Sequence, residues 1–395
     1  MNNKTRRILI VYPHNFFEKT NGINRMFYHF SKYLKNIGFS IDLFTLKNFE
    51  SKWESGYPFD KKIVDNLFFY DFAQKPGVDF IRVIIEKIHK AINRRAANQE
   101  RNVLKNLPDF ATPKMKLQLL NILKENEYSH IIVGYAYWAN LLKGVDVGKI
   151  KKIISINDWL TVQMKDYYHN KVDVNNLLVE EINRVNMFDI AIEISTFEYS
   201  LFSQLAINPK HYLVPIFLNS TRIVKSKKPK YDIVFIAHKN IYNIEGVEWF
   251  VKNVLPLLPK IRLLIVGSVN KEIGELKSKN ITQIEHVDDL SDVYKNTKLA
   301  ICPLFGGTGL KVKVIEALSF GVPIICTTKS VAGFPYDVEN GMAIEDDPIQ
   351  FANKILSFTS NESLLKKMST NAKKYFDKYF SEASVDAKLR EIFYE

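Results

Sequence analysis

The chain has 395 residues, 46% hydrophobic and 25% charged, the balance of a globular protein too long for one hydrophobic core. Its formal net charge of +12 favours anionic partners, whether a membrane surface, nucleic acid or phosphorylated substrates. The longest nearly apolar run, 131–142, is well short of the ~18 residues that span a bilayer, and residues 8–12 are too short for a signal core.

Residues 7–12 (Arg-Ile-Leu-Ile-Val-Tyr) read as a buried strand, followed by a loop over 13–22 that carries His14 and Asn15. A helix is predicted over 23–37 with Gly38 as its stop, and a strand over 40–45, which together make a Rossmann-like opening. The stretch 48–76 is aromatic and irregular. A helix is predicted over 80–105, with Ile81, Ile84, Ile85, Ile88 and Ile92 on one face. Lys87, Lys90, Arg94, Arg101 and Lys105 lie nearly opposite. Such a helix can pack by its isoleucines with a solvated basic face, or lie on an anionic membrane surface. Nucleic acid has less support: there is no zinc-finger spacing, RNP-like string or basic zipper.

Strands are predicted over 130–133, 152–156, 189–194 and 212–215. Asn157-Asp158 follows the second of these. Asp158 is either a substrate contact or the cap of a segment starting at Trp159, and Ser195 with Glu198 reads as a capping box. Residues 215–230 are the crossing between domains. A second set of strands follows over 231–237, 261–266, 281–285, 299–303 and 323–327, with helices over 247–258 and 290–295. Cys302 and Cys326 sit in apolar runs and read as small packing residues of a reducing compartment. No metal-ligand cluster of Cys and His appears, and no Asp-x-Asp string.

Residues 303–323, Pro-Leu-Phe-Gly-Gly-Thr-Gly-Leu-Lys-Val-Lys-Val-Ile-Glu-Ala-Leu-Ser-Phe-Gly-Val-Pro, carry the chemistry. Gly306, Gly307 and Gly309 let the backbone turn tightly and approach a ligand. A helix is predicted over 310–320, and the N–H groups at its start with Lys311 and Lys313 make an anion site. Glu316, one and a half turns beyond the loop, could accept both hydroxyls of a ribose. The bland alternative is an empty strand-to-helix turn.

The string closely resembles the donor-binding segment of GT-B glycosyltransferases, especially glycosyltransferase family 4. The resemblance implies an α/β fold of two Rossmann-like domains facing across a cleft: 1–215 for the acceptor, 216–380 for the donor, and 381–395 as a helix returning to the first domain. It implies transfer of a sugar from a nucleotide-diphosphate sugar to a glycan, glycolipid or other hydroxyl acceptor, with retention, without a metal or cofactor, in surface polysaccharide or glycoconjugate synthesis. Implied donor contacts are Gly306, Gly307, Thr308, Gly309, Leu310, Lys311, Lys313 and Glu316, with His238 and Asn243 from the loop after 231–237 and Gly22 from the first loop. Asp158 and His14 are the candidates on the acceptor side, though no catalytic base is assigned.

Two departures matter. Ala237-His238 stands where many members have Gly-Arg, and Thr308 stands where the first carboxylate of the Glu-x7-Glu pair belongs. They leave open a second reading: a GT-B-shaped subunit without turnover that stabilises an active partner. A sugar-nucleotide epimerase would need acid–base residues that are not identified. The expected location is the cytoplasm, with the basic helix suited to the inner membrane face.

Overall fold

The computed structural model describes residues 6–18, 22–47, 53, 59–71, 103–220 and 223–395. Contacts divide the chain into two units, Met1–Leu213 and Val214–Glu395.

The first unit holds a parallel sheet of strands β1 (Arg7–Val11), β2 (Ser40–Lys47), β3 (Asn66–Asp71), β4 (His130–Gly134), β5 (Lys151–Ile156), β6 (Ile190–Glu193) and β7 (Lys210–Leu213). Their order is β3-β2-β1-β4-β5-β6-β7. Ile8, Leu9, Ile10, Ile131, Ile132 and Val133 are all fully buried, so the central strands need apolar residues on both faces. Helices α1 (Gly22–Asn36), α2 (Pro113–Glu125), α3 (Leu160–Tyr167), α4 (Val174–Val185) and α5 (Thr196–Leu205) belong to this unit. The stop after α1 is Gly38 at φ +95°, a conformation glycine adopts at little cost.

The second unit repeats the plan with β8 (Tyr231–Ile236), β9 (Leu263–Val266), β10 (Ile281–Ile284), β11 (Thr297–Cys302), β12 (Ile324–Cys326) and β13 (Met342–Ile344). Their order is β10-β9-β8-β11-β12-β13, all parallel. Its helices are α6 (Ile241–Trp249), α7 (Asn270–Ile273), α8 (Leu290–Lys295), α9 (Val312–Ser319), α10 (Pro348–Ser360), α11 (Glu362–Tyr379) and α12 (Glu382–Tyr394). Cys302 and Cys326 face each other in register as buried, unjoined thiols.

In both sheets the chain starts in the middle and reverses direction of growth. The reversal falls between β1 and β4 in one unit and between β8 and β11 in the other. Crevices at the carboxyl ends of such strand pairs are where open α/β sheets bind ligands.

Several elements differ from the sequence reading, among them β7, which runs two residues earlier than 212–215, and the unforeseen β13. Strand β3 lies inside the stretch read as irregular; its Phe68, Phe69 and Tyr70 are half-buried on successive positions at a sheet edge, so no alternation marks them. Helix α6 starts six residues before the predicted 247, because the Asn240 side chain caps it by accepting from the Asn243 N–H at 2.8 Å. It then passes into a π turn over Phe250–Val254 and a 3-10 turn at Leu255–Leu257. Helix α9 is shorter than 310–320 at both ends. The basic helix expected over 80–105 lies, through residue 102, outside the described residues; Leu104 bridges to Val172. Among the described residues no helix is long and apolar enough to cross a membrane.

Candidate functional site

The glycine-rich loop leaves β11 at the reversal point of the second sheet, beside the loop after β8. Its root is clamped. The Ser330 hydroxyl donates to the Cys302 carbonyl at 2.5 Å and accepts from the Leu304 N–H at 3.1 Å, and Thr327 donates to the Leu304 carbonyl. Both hydroxyl residues are fully buried, so these bonds form away from water, where they are most directional.

Helix α6 is pressed against the same root. A Cβ on Gly246 would come within 2.6 Å of the Pro303 carbonyl oxygen, so only glycine permits the contact. One turn earlier Tyr242 therefore lies on the loop itself. Its ring fills the space where a Cβ of Gly306 would stand, 2.4 Å away, and flanks Gly307. Gly307 at φ +89° and Gly309 at φ +64° complete the turn. Phe305, half exposed, packs edge-on to Trp249 of α6 at 4.8 Å.

The loop ends at α9, whose N-cap residue Lys311 gives no side-chain cap. The Lys311 ammonium donates instead to the Thr308 and Gly309 carbonyls at 2.8 and 3.2 Å, bracing the loop from beneath. Lys313 donates to the Asn243 carboxamide oxygen and stands over the Phe235 ring at 4.9 Å. Burial, with Lys311 nearby, pulls its ammonium down to about 8 from 10.5. The Asn243 amide in turn donates to the His238 carbonyl at 2.8 Å. Asn243 thus ties the β8 loop to α9 with both ends of its side chain, while the His238 side chain is exposed. Glu316 sits mid-helix with 7% of its surface exposed, and Leu310 is buried in the loop. So Gly306, Gly307, Thr308, Gly309, Leu310, Lys311, Lys313, Glu316, His238 and Asn243 are one neighbourhood. Tyr242, Ser330 and Thr327 join it unforeseen; Tyr242 was hidden because helix α6 begins earlier than its apolar spacing suggested.

The other candidates lie in the first unit. Gly22 opens α1, while Asn21 falls outside the described residues. His14 is half-buried and meets the Tyr12 ring edge-on at 5.7 Å. Asp158 is not the cap of α3: the Glu181 carboxylate takes the Leu160 and Thr161 N–H groups at 2.8 and 2.9 Å and the Thr161 hydroxyl at 2.6 Å. Ser195 does cap α5, accepting from Phe197 and Glu198.

Residues 230–361, which hold the whole glycine-loop neighbourhood, match the family model of glycosyl transferases group 1. Over that third of the chain the sequence is similar to a group 1 glycosyl transferase domain. Over 325 residues it is 21% identical to a 44.6 kDa protein of the cps region of Klebsiella pneumoniae, covering 73% of this chain and 79% of that protein. Sucrose-phosphate synthase from Thermosynechococcus elongatus superposes with a TM-score of 0.71 at 15% identity, over 98% of each chain. Anabaena HepE in complex with UDP and glucose gives 0.65 at 11% identity, over 99% of this chain and 100% of that one. These likenesses show the fold: GT-B, with two Rossmann-like domains.

Proposed function

We propose that the protein transfers a sugar from a nucleotide-diphosphate sugar to a hydroxyl of a glycan or glycolipid acceptor. The observation that carries this reading is the clamped loop Gly306–Gly307–Thr308–Gly309 opening onto an uncapped helix start, with two lysines on it and Glu316 a turn and a half beyond. The diphosphate sits on the loop and first-turn N–H groups, and Glu316 takes the ribose hydroxyls. As the glycosidic bond breaks, charge develops on the leaving diphosphate, where Lys311, Lys313 and the amides stabilise it without a metal. UDP in the HepE complex supports a uridine donor, and the cps-region relative supports a role in surface polysaccharide synthesis. Retention of configuration is the outcome expected for a group 1 enzyme.

Thr308 in place of a carboxylate favours a second reading, a donor-binding subunit without turnover. One panel separates them. Nucleoside diphosphates and their sugars are screened by thermal shift, then for release of free nucleotide. A ligand at 100 times its dissociation constant adds about 2.7 kcal/mol of stability. Binding with slow release that vanishes in Glu316→Ala supports the transferase. Binding without release supports the subunit, and no shift with any diphosphate overturns both.

A further inference from the structure

Helix α5 of the first unit turns an apolar row to the solvent. Its inner side belongs to the core: Phe202 is fully buried, Glu198 nearly so, and Ala206 closes the end. Phe197 and Leu205 stand 58% and 42% exposed, and Leu201 between them is half-buried. The three recur every fourth residue and so lie in one row along the helix. Ile207, just past the helix end, extends the patch at 82% exposed.

Single exposed apolar side chains need no explanation, but an aligned set marks an interaction surface. The patch also lacks charge. No Asp, Glu, Lys or Arg occurs over 199–209, in a chain of which 25% is charged. The helix's one acid, Glu198, is on the buried side. The next cation along the chain, Lys210, holds its ammonium over the Tyr212 ring at 5.0 Å. Depletion of charge together with aromatic side chains is the composition of a protein–protein interface core. A bilayer surface asks for the opposite, lysines and arginines beside the apolar row.

We propose that α5 is the dyad helix of a homodimer, packed antiparallel on α5 of a second copy. The row is self-complementary. Leu201 is its midpoint, so a two-fold axis there sets Leu201 on its own copy and Phe197 on Leu205 of the other chain, twice over. The charges agree. Two chains of +12 repel over most of their surface, and here they meet without opposing like charges. Antiparallel packing also brings the positive end of each helix beside the negative end of the other. Position supplies the remaining area. A stable pair buries about 800 Å² on each side, more than the ten residues of α5 offer. Strand β7, which follows α5, is the last in the sheet order. A two-fold axis normal to the sheet at that edge brings β7 antiparallel to its copy and the two α5 helices together, so strand and helix enlarge one interface.

Sedimentation equilibrium of the full-length protein, up to about 100 μM, measures the pairing. The wild type is expected to be a dimer. Phe197→Glu and Leu205→Lys are each expected to raise the dimer dissociation constant about 100-fold. Their circular dichroism is expected to match the wild type, because both side chains lie outside the buried core. Mixed one to one, the two variants are expected to pair again: the new carboxylate then faces the new ammonium at one contact, and Phe197 still meets Leu205 at the other. A monomeric wild type at every concentration overturns the proposal. So does a dimer that survives both single substitutions, or a pair of variants that stays apart on mixing. A monomeric wild type that pellets with phosphatidylethanolamine–phosphatidylglycerol vesicles, and loses this in Phe197→Glu, would assign the face to a membrane instead.

Discussion

Lys313 and Asn243, seventy positions apart, meet through an ammonium-to-carboxamide hydrogen bond at the glycine loop. The bond fixes one anion-binding group before any ligand arrives, and the other end of Asn243 fixes the β8 loop. Asn243 therefore positions the diphosphate site rather than filling it, and its substitution tests that role. Asn243→Asp places a carboxylate on Lys313, and an opposite charge at this range raises an amine's pKa by about 1–3 units. In the wild type, diphosphate affinity should weaken as pH rises through about 8, where Lys313 loses its proton. In Asn243→Asp that limb moves upward, while affinity at pH 7 falls because the new charge opposes the phosphates. Titration of binding between pH 7 and 9.5 shows both; an unmoved limb would mean that Lys313 does not set it.

The same lysine costs stability. Its folded pKa lies below the unfolded value, so the unfolded chain binds the extra proton between about 8 and 10.5 and stability rises with pH across that window. Below it the full cost stands. Lys313→Met removes the charge at similar length and leaves the Asn243 oxygen without its donor, which costs about 1–2 kcal/mol. The variant's stability relative to wild type should therefore be highest near pH 7 and decline by about 2 kcal/mol by pH 10.5, allowing for the half-buried stem. Urea unfolding at four pH values reads this difference directly, and diphosphate binding should be lost throughout.

Sequence alone located the loop, the lysines and Glu316 because they are contiguous: strand, turn and helix follow one another within 21 residues, and each leaves its own periodicity. It also predicted most of the buried strands, whose aliphatic runs leave little choice. What it missed is set by contacts across the chain. Strand β3 has no alternation because it is an aromatic edge. Asp158 looked like a helix cap, but the cap is Glu181, supplied by α4. Tyr242 reads as an ordinary aromatic of a helix until Gly246 is seen to press α6 on Pro303. Nothing in local composition announces the positive φ of Tyr135, 73°, since the residues around it come from the loop after β1 and from α1, α4 and β5.

Gly306 and Tyr242 should behave as a coupled pair. A methyl group on Gly306 would stand 2.4 Å from the Tyr242 ring, so Gly306→Ala must displace the ring or the loop. Overpacking of this kind costs about 1–3 kcal/mol. Tyr242→Ala removes the obstacle, so the double variant should recover most of the stability lost by Gly306→Ala, with an interaction energy of about 1 kcal/mol or more. A double-mutant cycle by thermal unfolding measures it. Strict additivity would show that the ring does not rest on the loop.

His130 predicts the response of the first unit to acid. It is 5% exposed, and burial, with Lys151 nearby, lowers its pKa to about 4 from 6.5. The neutral ring is the buried form, so its contribution is fully present above 6.5 and is lost as pH falls toward 4. At full effect the loss is about 3 kcal/mol, at 1.36 kcal/mol per unit. Glu181 and Glu193, both raised to about 7, act in the opposite direction, so the comparison must be with a variant. His130→Phe keeps an aromatic ring against Phe39 and cannot titrate. Its stability relative to wild type should rise steadily from pH 6.5 to 4.

Glu316 tests the donor reading most directly. It is nearly buried in α9, so a truncation would open a hole; Glu316→Gln keeps its volume and removes only the charge. A carboxylate that accepts two ribose hydroxyls makes charge-assisted bonds worth about 1.5–3 kcal/mol each when one partner is ionised. An amide retains a single accepting oxygen, so nucleotide-sugar affinity should fall about 10- to 100-fold, while the affinity for pyrophosphate, which has no ribose, should stay within about twofold. Competition between uridine diphosphate and pyrophosphate on both proteins reads the contrast. Equal loss for the two ligands would place Glu316 under the phosphates or in the packing of α9 rather than at the pentose.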